Sequence, residues 1–379
     1  MKRKIVFLTG TRADYGKLKS LIRILADSAD FEPYVFATGM QMIPKYGSTY
    51  MEIEKDGFPH LEKFVNQDSV NLMDETLART IQGFRAYVAK LCPDAIVVHG
   101  DRLEALAGAI VGAFNNIKVM HVEGGEVSGT IDESIRHAVS KFAHYHFVAN
   151  EDAKRRLMQL GEPACNIIVF GSPDIDVMYS ASLPSIESVK DHYDIEFDRY
   201  SICLYHPVTT ELDCLEAHVA AFADALVASG RNYVVIYPNN DAGSDIVLKA
   251  YNNKLAGNAA FRLFPSVKFE AFLSLLKHSD MIVGNSSSGI REASVYGIPA
   301  VDVGTRQEGR YDPAKSSHIV HADETESSIR DAIAAASKLH VARKSPFGDG
   351  RSDLIFLSAL RRPEIWSSDV QKRFVDIDF

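Results

Sequence analysis

The sequence predicts an α/β protein made of two doubly wound halves, each a parallel sheet flanked by helices. Three observations carry this. Short apolar runs rich in Val and Ile recur, each closed by glycine or polar residues and followed by a segment of helical length; this is how βα units of a parallel sheet read. The 379 residues exceed what one core normally organises. The composition, 46% hydrophobic and 24% charged, is that of an ordinary globular protein.

In order, the runs of the first half are KIVFLTGTR, YVFATG, DAIVVHGDR, KVMHVEGGE, YHFVAN and NIIVFGSP. Those of the second half are YSICLYHPVTT, NYVVIYPNN, DMIVGNSSSG and IPAVDVGTR. Helical spacing is clear in KLKSLIRILADS and in EAHVAAFADALVASG, where Gly230 is placed to end the helix. The pattern lapses between 172 and 190, in SPDIDVMYSASLPSIES, which carries two prolines. The tail RRPEIWSSDVQKRF reads as a terminal helix returning to the first half. The expected domains are therefore 1–175 with a C-terminal helix at about 361–379, and 176–360. Ligands of such sheets bind beyond the carboxyl ends of the strands, so two sheets with facing ends would enclose an interdomain cleft.

The net charge of −9 argues against nucleic acid as a partner, while leaving room for small anions held by local arginines. Cys92, Cys165, Cys203 and Cys214 are scattered without a CxxC pair, which predicts buried reduced thiols rather than a zinc site or disulfide frame. The apolar part of the start MKRKIVFLTGTRADYG is too short for a signal peptide. No stretch approaches a membrane span, so the expected location is the cytoplasm.

The chemistry-bearing residues sit at strand exits. GNSSSGIREAS (284–294) offers hydroxyls and free N–H groups at a helix start, suited to a phosphate and equally to an ordinary helix cap. Glu292 within it suits a ribose diol. GTRQEGR (304–310) adds Arg306 and Arg310 as anion partners or solvated loop charges. TGTRADYGK (9–17) is not GxGxxG, and GxxxxGK[ST] is absent, so dinucleotide and NTPase fingerprints fail. Arg12 and Lys17 there are either anion ligands or surface charges. In HGDR (99–102), Asp101 is an N-cap or a catalytic acid. The next apolar run ends at Glu123, and Asp132 and Glu133 open the helix beyond GGEVSGT. Neighbouring parallel strands lie under about 5 Å apart, so Asp101 and Glu123 are expected to share a site, and several carboxylates together imply proton transfer. His137, His144 and His146 are spaced by seven and two, without HxxxH; packed, hydrogen-bonded histidines are expected rather than metal ligands. No GxSxG elbow supports a serine triad.

HGDR, HVEGGEVSGTIDESIRHAVSKFAHYH, HPVTT, PNNDAGS, VGNSSSGIRE and GTRQEGR, in order and across essentially the whole chain, resemble the hydrolysing UDP-N-acetylglucosamine 2-epimerases of sialic acid synthesis. The epimerase half of the bifunctional animal enzyme is among them. The resemblance implies a GT-B-like fold, two Rossmann-type domains with the ligand between them. It implies conversion of UDP-GlcNAc to UDP and N-acetylmannosamine by loss of the C2 proton, elimination of UDP and hydration of the resulting 2-acetamidoglucal. That chemistry calls for no cofactor, metal, nicotinamide or protein nucleophile.

By position, Asp101, Glu123 and Asp132 match the family's catalytic acids. Arg12, Arg102, His206, Asn239, Ser286, Ser287, Glu292 and Arg306 match its nucleotide contacts, and the Val267 region matches a backbone segment reading uracil. The animal enzyme has serine where this chain has Gly16, so that contact is lost or taken over by Lys17. The match includes no kinase segment. The feedback region, here VLKAYNNKLAGNAAF, is not clearly matched, so inhibition by the end product is not expected. A homodimer or homotetramer is implied. Close alternatives are the same reaction on a UDP-diacetamido-trideoxyhexose or GDP-GlcNAc; SGTIDESIRH favours UDP-GlcNAc. Non-hydrolysing epimerases usually begin GTRPE, unlike GTRADYGK here. A GT-B glycosyltransferase would not need the acidic trio, and a silent nucleotide-sugar sensor would have lost part of it.

Overall fold

The computed structural model of the chain describes residues 2–67, 72–128, 131–180, 183–239, 241–345 and 347–376. Gly129, Thr130 and Asn240, which belong to two of the motifs above, lie outside them, as do the last three residues. The chain divides into two compact units. The first takes in the described residues of Met1–Glu126, Ile131–Ser180 and Pro346–Phe379; the second takes in those of Val127–Thr130 and Ala181–Ser345.

The first unit is built on seven parallel strands: β1 (Arg3–Thr9), β2 (Phe31–Ala37), β3 (Leu61–Lys63), β4 (Ala95–His99), β5 (Lys118–Val122), β6 (Tyr145–Val148) and β7 (Ile167–Val169). Their order is β3-β2-β1-β4-β5-β6-β7. The period-two alternation of a strand sends Ile5 and Phe7 to one face and Val6 and Leu8 to the other, so helices cover both. On the first face Phe356, Leu360 and Ile365 of the returning C-terminal segment join the core, with Phe356 edge-on to Phe147 at 4.7 Å between centroids.

The second unit has six parallel strands: β8 (Ser201–Leu204), β9 (Tyr233–Ile236), β10 (Phe261–Phe264), β11 (Ile282–Gly284), β12 (Ala300–Val303) and β13 (Ile319–Ala322). Their order is β10-β9-β8-β11-β12-β13. One side of this sheet packs helices Leu212–Ala228, Ser244–Lys254 and Glu326–Ala336 through Phe222, Leu226, Tyr251 and Ile329. Gly230 follows the first of these helices with φ +64, the left-handed conformation expected of a terminating glycine.

These are two parallel-sheet Rossmann-like folds. In each, the order reverses where the chain leaves the first strand of the unit, between β1 and β4 and between β8 and β11, which are the switch points at which such sheets bind ligands.

Three expectations are corrected. The tail is not one helix over 361–379: Pro363 starts a short helix, Pro363–Ser367, after the separate helix Ser352–Leu360, and the described residues beyond Ser368 are irregular. Proline has no N–H to donate and is tolerated only in a helix's first turn, so it begins a new helix rather than continuing one. The cysteines are unpaired, but only Cys203 is buried. Cys92 ends helix Met73–Leu91 in a left-handed conformation, and Cys165 and Cys214 lie on exposed faces. Finally, β3, β10 and β13 were not foreseen. Each is a sheet-edge strand of three or four residues carrying a charge or an imidazole (LEK, FRLF, IVHA). These three edge strands are half-solvated and lack the apolar run that marks a central parallel strand, whereas the edge strand β7 keeps one.

Candidate active site

In the first unit the exits of β1, β4, β5 and β7 carry the ionisable residues. Thr11 caps helix Arg12–Ala26 by accepting from the Asp14 N–H, and Asp14 Oδ2 accepts from the Gly10 N–H at 3.0 Å. Asp14 Oδ1 lies 2.8 Å from His99 Nδ1, while His99 Nε2 lies 3.1 Å from Glu123 Oε2. The ring therefore bridges two carboxylates. Burial works against its charge, but the hydrogen bonds and charges of Asp14 and Glu123 outweigh that and push its pKa up to about 9. His99 is an imidazolium at neutral pH.

Glu123 itself is 5% exposed and has φ +61, a backbone conformation costly for a residue with a side chain. Its N–H is nevertheless bonded to the Phe147 carbonyl at 2.8 Å, so the turn is held by β6. The Ser172 hydroxyl donates to Glu123 Oε1. Lys17 Nζ lies 3.9 Å from Glu123 Oε2 and 3.2 Å from Asp174 Oδ2.

Asp101 leaves β4 next to Glu123, since His99 pairs with Val122 across the two strands, but its partner is different. The buried Arg136 guanidinium donates to Asp101 Oδ2 and, through Nη1, to the Glu126 carbonyl at 3.1 Å. Arg136 belongs to helix Ile131–Phe142, whose first turn holds Asp132 and Glu133. The trio is thus divided: Glu123 sits among His99, Lys17 and Ser172, while Asp101 is tied to the helix that carries Asp132.

The histidines of this region are structural. His121 Nε2 lies 2.8 Å from the Gly100 carbonyl and its Nδ1 lies 3.1 Å from Ser140 Oγ. Burial lowers its pKa to about 3. The ring is neutral, Nε2–H donates to the carbonyl, and the hydroxyl donates to Nδ1. This bond steadies the Gly100 turn before Asp101. His144 accepts from the Val119 N–H at 3.0 Å and donates to the Val370 carbonyl at 2.9 Å. His146 is buried against Glu162 at 3.1 Å. His137 is more exposed and lies 3.4 Å from Glu133.

In the second unit the exits of β8, β11 and β12 converge on Asn285. Its side chain accepts from the His206 N–H at 2.7 Å and donates to the His206 carbonyl at 2.8 Å. Its own carbonyl accepts from Gln307 Nε2 at 2.7 Å and Arg306 Nη1 at 3.3 Å. Gly284 makes this possible: at φ +141 a Cβ would stand 2.1 Å from the Leu204 carbonyl oxygen. Beyond it, Ser286 caps the turn Ser287–Gly289 by accepting from the Ser288 N–H. Glu292, buried, begins helix Glu292–Tyr296. His206 Nδ1 accepts from the Asn239 N–H at 3.0 Å, which leaves Nε2 to carry the ring's proton. Val267 is buried between β10 and helix Phe269–Lys277. Arg310 Nε donates to the Val127 carbonyl of the same unit at 2.6 Å.

Of the residues singled out in the sequence, Lys17 and Glu123 come together in the first unit, with Asp101 at the neighbouring strand exit. Arg12 lies 3.0 Å from Glu52 at the β1 exit, and Arg102 immediately precedes helix Leu103–Phe114 without a side-chain capping bond. His206, Asn239, Ser286 and Arg306 gather around the β8 and β11 exits of the second unit. Sequence reasoning missed His99, Arg136, Ser172, Asp174, Asn285 and Gln307. His99 and Asn285 each stand inside a quoted motif, so their position at a strand exit was the available signal; Ser172 and Asp174 fell in a stretch set aside as a boundary.

Among the described residues, one group has the composition of a metal site: Glu211, His218 and Glu324, with ligand atoms within 4.8 Å of one another. These atoms are engaged as hydrogen-bond partners. His218 Nδ1 is 2.7 Å from Glu324 Oε2, Tyr205 donates to Glu324 at 2.5 Å and Thr305 to Glu211 at 2.5 Å. They lock the β8, β12 and β13 exits together.

Residues 23–361 match the model of a protein family described as UDP-N-acetylglucosamine 2-epimerase. The chain is 44% identical over 380 residues to a UDP-N-acetylglucosamine 2-epimerase of Neisseria meningitidis serogroup B, covering 99% of this chain and all of the relative. It is 33% identical to a hydrolysing UDP-N,N'-diacetylbacillosamine 2-epimerase of Legionella pneumophila, over 93% of this chain and 94% of that one. Among solved structures, it superposes with a TM-score of 0.80 on Methanocaldococcus jannaschii UDP-GlcNAc 2-epimerase in complex with UDP-GlcNAc and UDP. The two are 21% identical, and the match covers 94% of this chain and 99% of that one.

Proposed function

This chain belongs to the UDP-N-acetylglucosamine 2-epimerase family, and from that premise we propose that it is a hydrolysing member. It converts UDP-GlcNAc and water to UDP and N-acetylmannosamine, the entry step of sialic acid synthesis for a surface polysaccharide. A carboxylate removes the C2 proton, and the electron pair forms the C1=C2 double bond as the C1–O bond breaks and UDP departs. Water then adds hydroxyl at C1 of 2-acetamidoglucal, and a proton returns to C2 from the opposite face, giving the manno sugar.

The observation that carries this reading is the pairing of carboxylates with fixed cations at the β4 and β5 exits, the buried Glu123 with His99 and the partly exposed Asp101 with Arg136. Such pairs hold proton-transfer groups in place and perturb their pKa values. In this reading Asp101, Glu123 and Asp132 divide the acid and base roles. Arg12, Arg102, His206, Asn239, Ser286, Ser287, Glu292 and Arg306 hold the nucleotide, with the Val267 backbone reading uracil. Developing negative charge on the departing diphosphate is met by arginines and by N–H groups of the Ser286 turn, the donors that stabilise a phosphate best. The reaction as written uses no cofactor.

The test is to follow UDP-GlcNAc with the enzyme in D2O by NMR. UDP and N-acetylmannosamine carrying deuterium at C2 are expected. Retention of the C2 proton in the product would sink the elimination mechanism, and UDP-ManNAc as product would mark a non-hydrolysing enzyme. The Legionella relative favours one second reading, the same reaction on a UDP-diacetamido-trideoxyhexose; turnover of that sugar with UDP-GlcNAc untouched would establish it.

A further inference from the structure

The stretch 172–176 follows β7, two strands from the β5 exit, yet its side chains reach the acid/base groups. Ser172 is fully buried, and its hydroxyl donates to Glu123 Oε1. Two residues on, the fully buried Asp174 lies 3.2 Å from Lys17 Nζ. The same ammonium stands 3.9 Å from Glu123 Oε2. A buried carboxylate away from charge partners is strongly disfavoured, so Asp174 and Lys17 depend on each other. Asp176 secures the stretch by accepting from the Ser352 and Asp353 N–H groups at 2.9 and 3.0 Å. Pro173, at the first turn of helix Pro173–Tyr179, sets its direction.

We propose that Ser172 and the Lys17–Asp174 pair are positioning residues for Glu123, fixing the direction of its carboxylate and keeping it ionised between proton transfers. The proposal rests on Glu123 being an acid/base group of the reaction above. Ser172 defines one oxygen by a hydrogen bond, and Lys17 adds positive charge beside the other, which also faces His99. Glu123 is met by His99 from β4, Lys17 from helix Arg12–Ala26 and Ser172 from the β7 exit, and Asp174 stands against Lys17. Asp14 lies behind His99, and the neutral His121 lies on β5. Asp174 holds Lys17 in place through their ion pair. Donors and cations favour the ionised form of a carboxylate, so removing either raises its pKa.

The full chain is labelled with 13C at glutamate carboxyls, and the Glu123 signal is identified by its absence in Glu123→Gln. It is titrated in the wild type, Ser172→Ala, Lys17→Met and Lys17→Arg, alongside kcat and KM for UDP release from UDP-GlcNAc. In Ser172→Ala and Lys17→Met the Glu123 carboxyl should titrate at higher pH. Their kcat should fall about tenfold or more, the scale of losing one hydrogen bond to a charged group, with KM little changed. Lys17→Arg, which keeps the charge, should titrate close to the wild type.

A Glu123 titration unmoved in both Ser172→Ala and Lys17→Met overturns the proposal, whatever the activities. If Lys17→Met does not fold, Ser172→Ala alone decides, since it removes one oxygen and no charge. If the titrations shift while the wild type leaves UDP-GlcNAc intact, the positioning stands and the reaction assigned to Glu123 fails instead.

Discussion

Glu123 occupies a left-handed backbone position at a strand exit, a conformation that costs on the order of 1–3 kcal/mol in a residue with a side chain. The cost is offset by a backbone hydrogen bond to Phe147 and by the side chain's ties to Ser172 and His99. Asp101 is the better-exposed acid, 23% accessible and oriented by Arg136. Replacing it with asparagine keeps the shape and removes the charge. Asp101→Asn should therefore abolish turnover of UDP-GlcNAc while UDP affinity, measured by calorimetry, stays within about tenfold, roughly 1.4 kcal/mol. Near-normal turnover would remove Asp101 from the catalytic set. At this scale the sequence was legible for the positions of Asp101 and Glu123, because each follows an apolar run at a strand exit inside a recognisable motif, and for that of Asp132 at a helix start. It was not legible for their partners: Arg136 reaches Asp101 across 35 residues and Ser172 reaches Glu123 across 49, and no local spacing encodes either contact.

Among the elements, the C-terminal segment shows how a short irregular stretch holds a unit together. Lys118 donates to the Ser368 carbonyl at 2.7 Å, and His144 donates to the Val370 carbonyl at 2.9 Å. Lys372 donates to the Ser140 and Ala143 carbonyls and to Glu162 at 2.6 Å. Burial works to raise the pKa of Glu162, but His146, Lys141 and Lys372 outweigh it and take the carboxyl down to about 2. A depressed carboxylate contributes stability that is present above its ordinary value of 4.5 and is lost as pH falls toward about 2. Lys372→Met should cost on the order of 1–3 kcal/mol at neutral pH, since it takes donors from a buried carboxylate and two carbonyls. With Glu162 less depressed, the variant should also lose less stability than the wild type as pH falls below about 4.5. Urea midpoints measured from pH 7 downward check both; a midpoint unchanged at neutral pH would show that Lys141 and His146 suffice. The sequence marked this tail as returning to the first half. Pro363 accounts for its division into short pieces.

For the whole molecule, each unit has its own sheet and its own core, so the strand-exit residues of each unit rest on a scaffold of buried strands. Any ligand that binds only the folded chain stabilises it by mass action. UDP at about a hundredfold excess over its Kd should add about 2.7 kcal/mol to unfolding stability. Arg306→Met, which removes a cation beside the β11 exit, should require more UDP for the same gain. Thermal unfolding with UDP titrated into wild type and variant measures this. An unfolding temperature that UDP does not move would contradict nucleotide binding.

The sequence by itself determined the α/β class, ten of the strands in the two sheets, and the strand-exit motifs, because these follow from local apolar runs and the residues that close them. It also indicated that the histidines of 121–146 belong to the packing, through a spacing unsuited to a metal. Only the tertiary structure decided the edge strands β3, β10 and β13, whose partners are needed before their short, half-polar sequences become strands. It likewise revealed that His99 lies between Asp14 and Glu123, whose carboxylates favour its charged form, and that Ser172, Lys17 and Asp174 gather behind Glu123. Those facts depend on which side chains are buried together, and burial sets the energy of a charge only after distant segments have met.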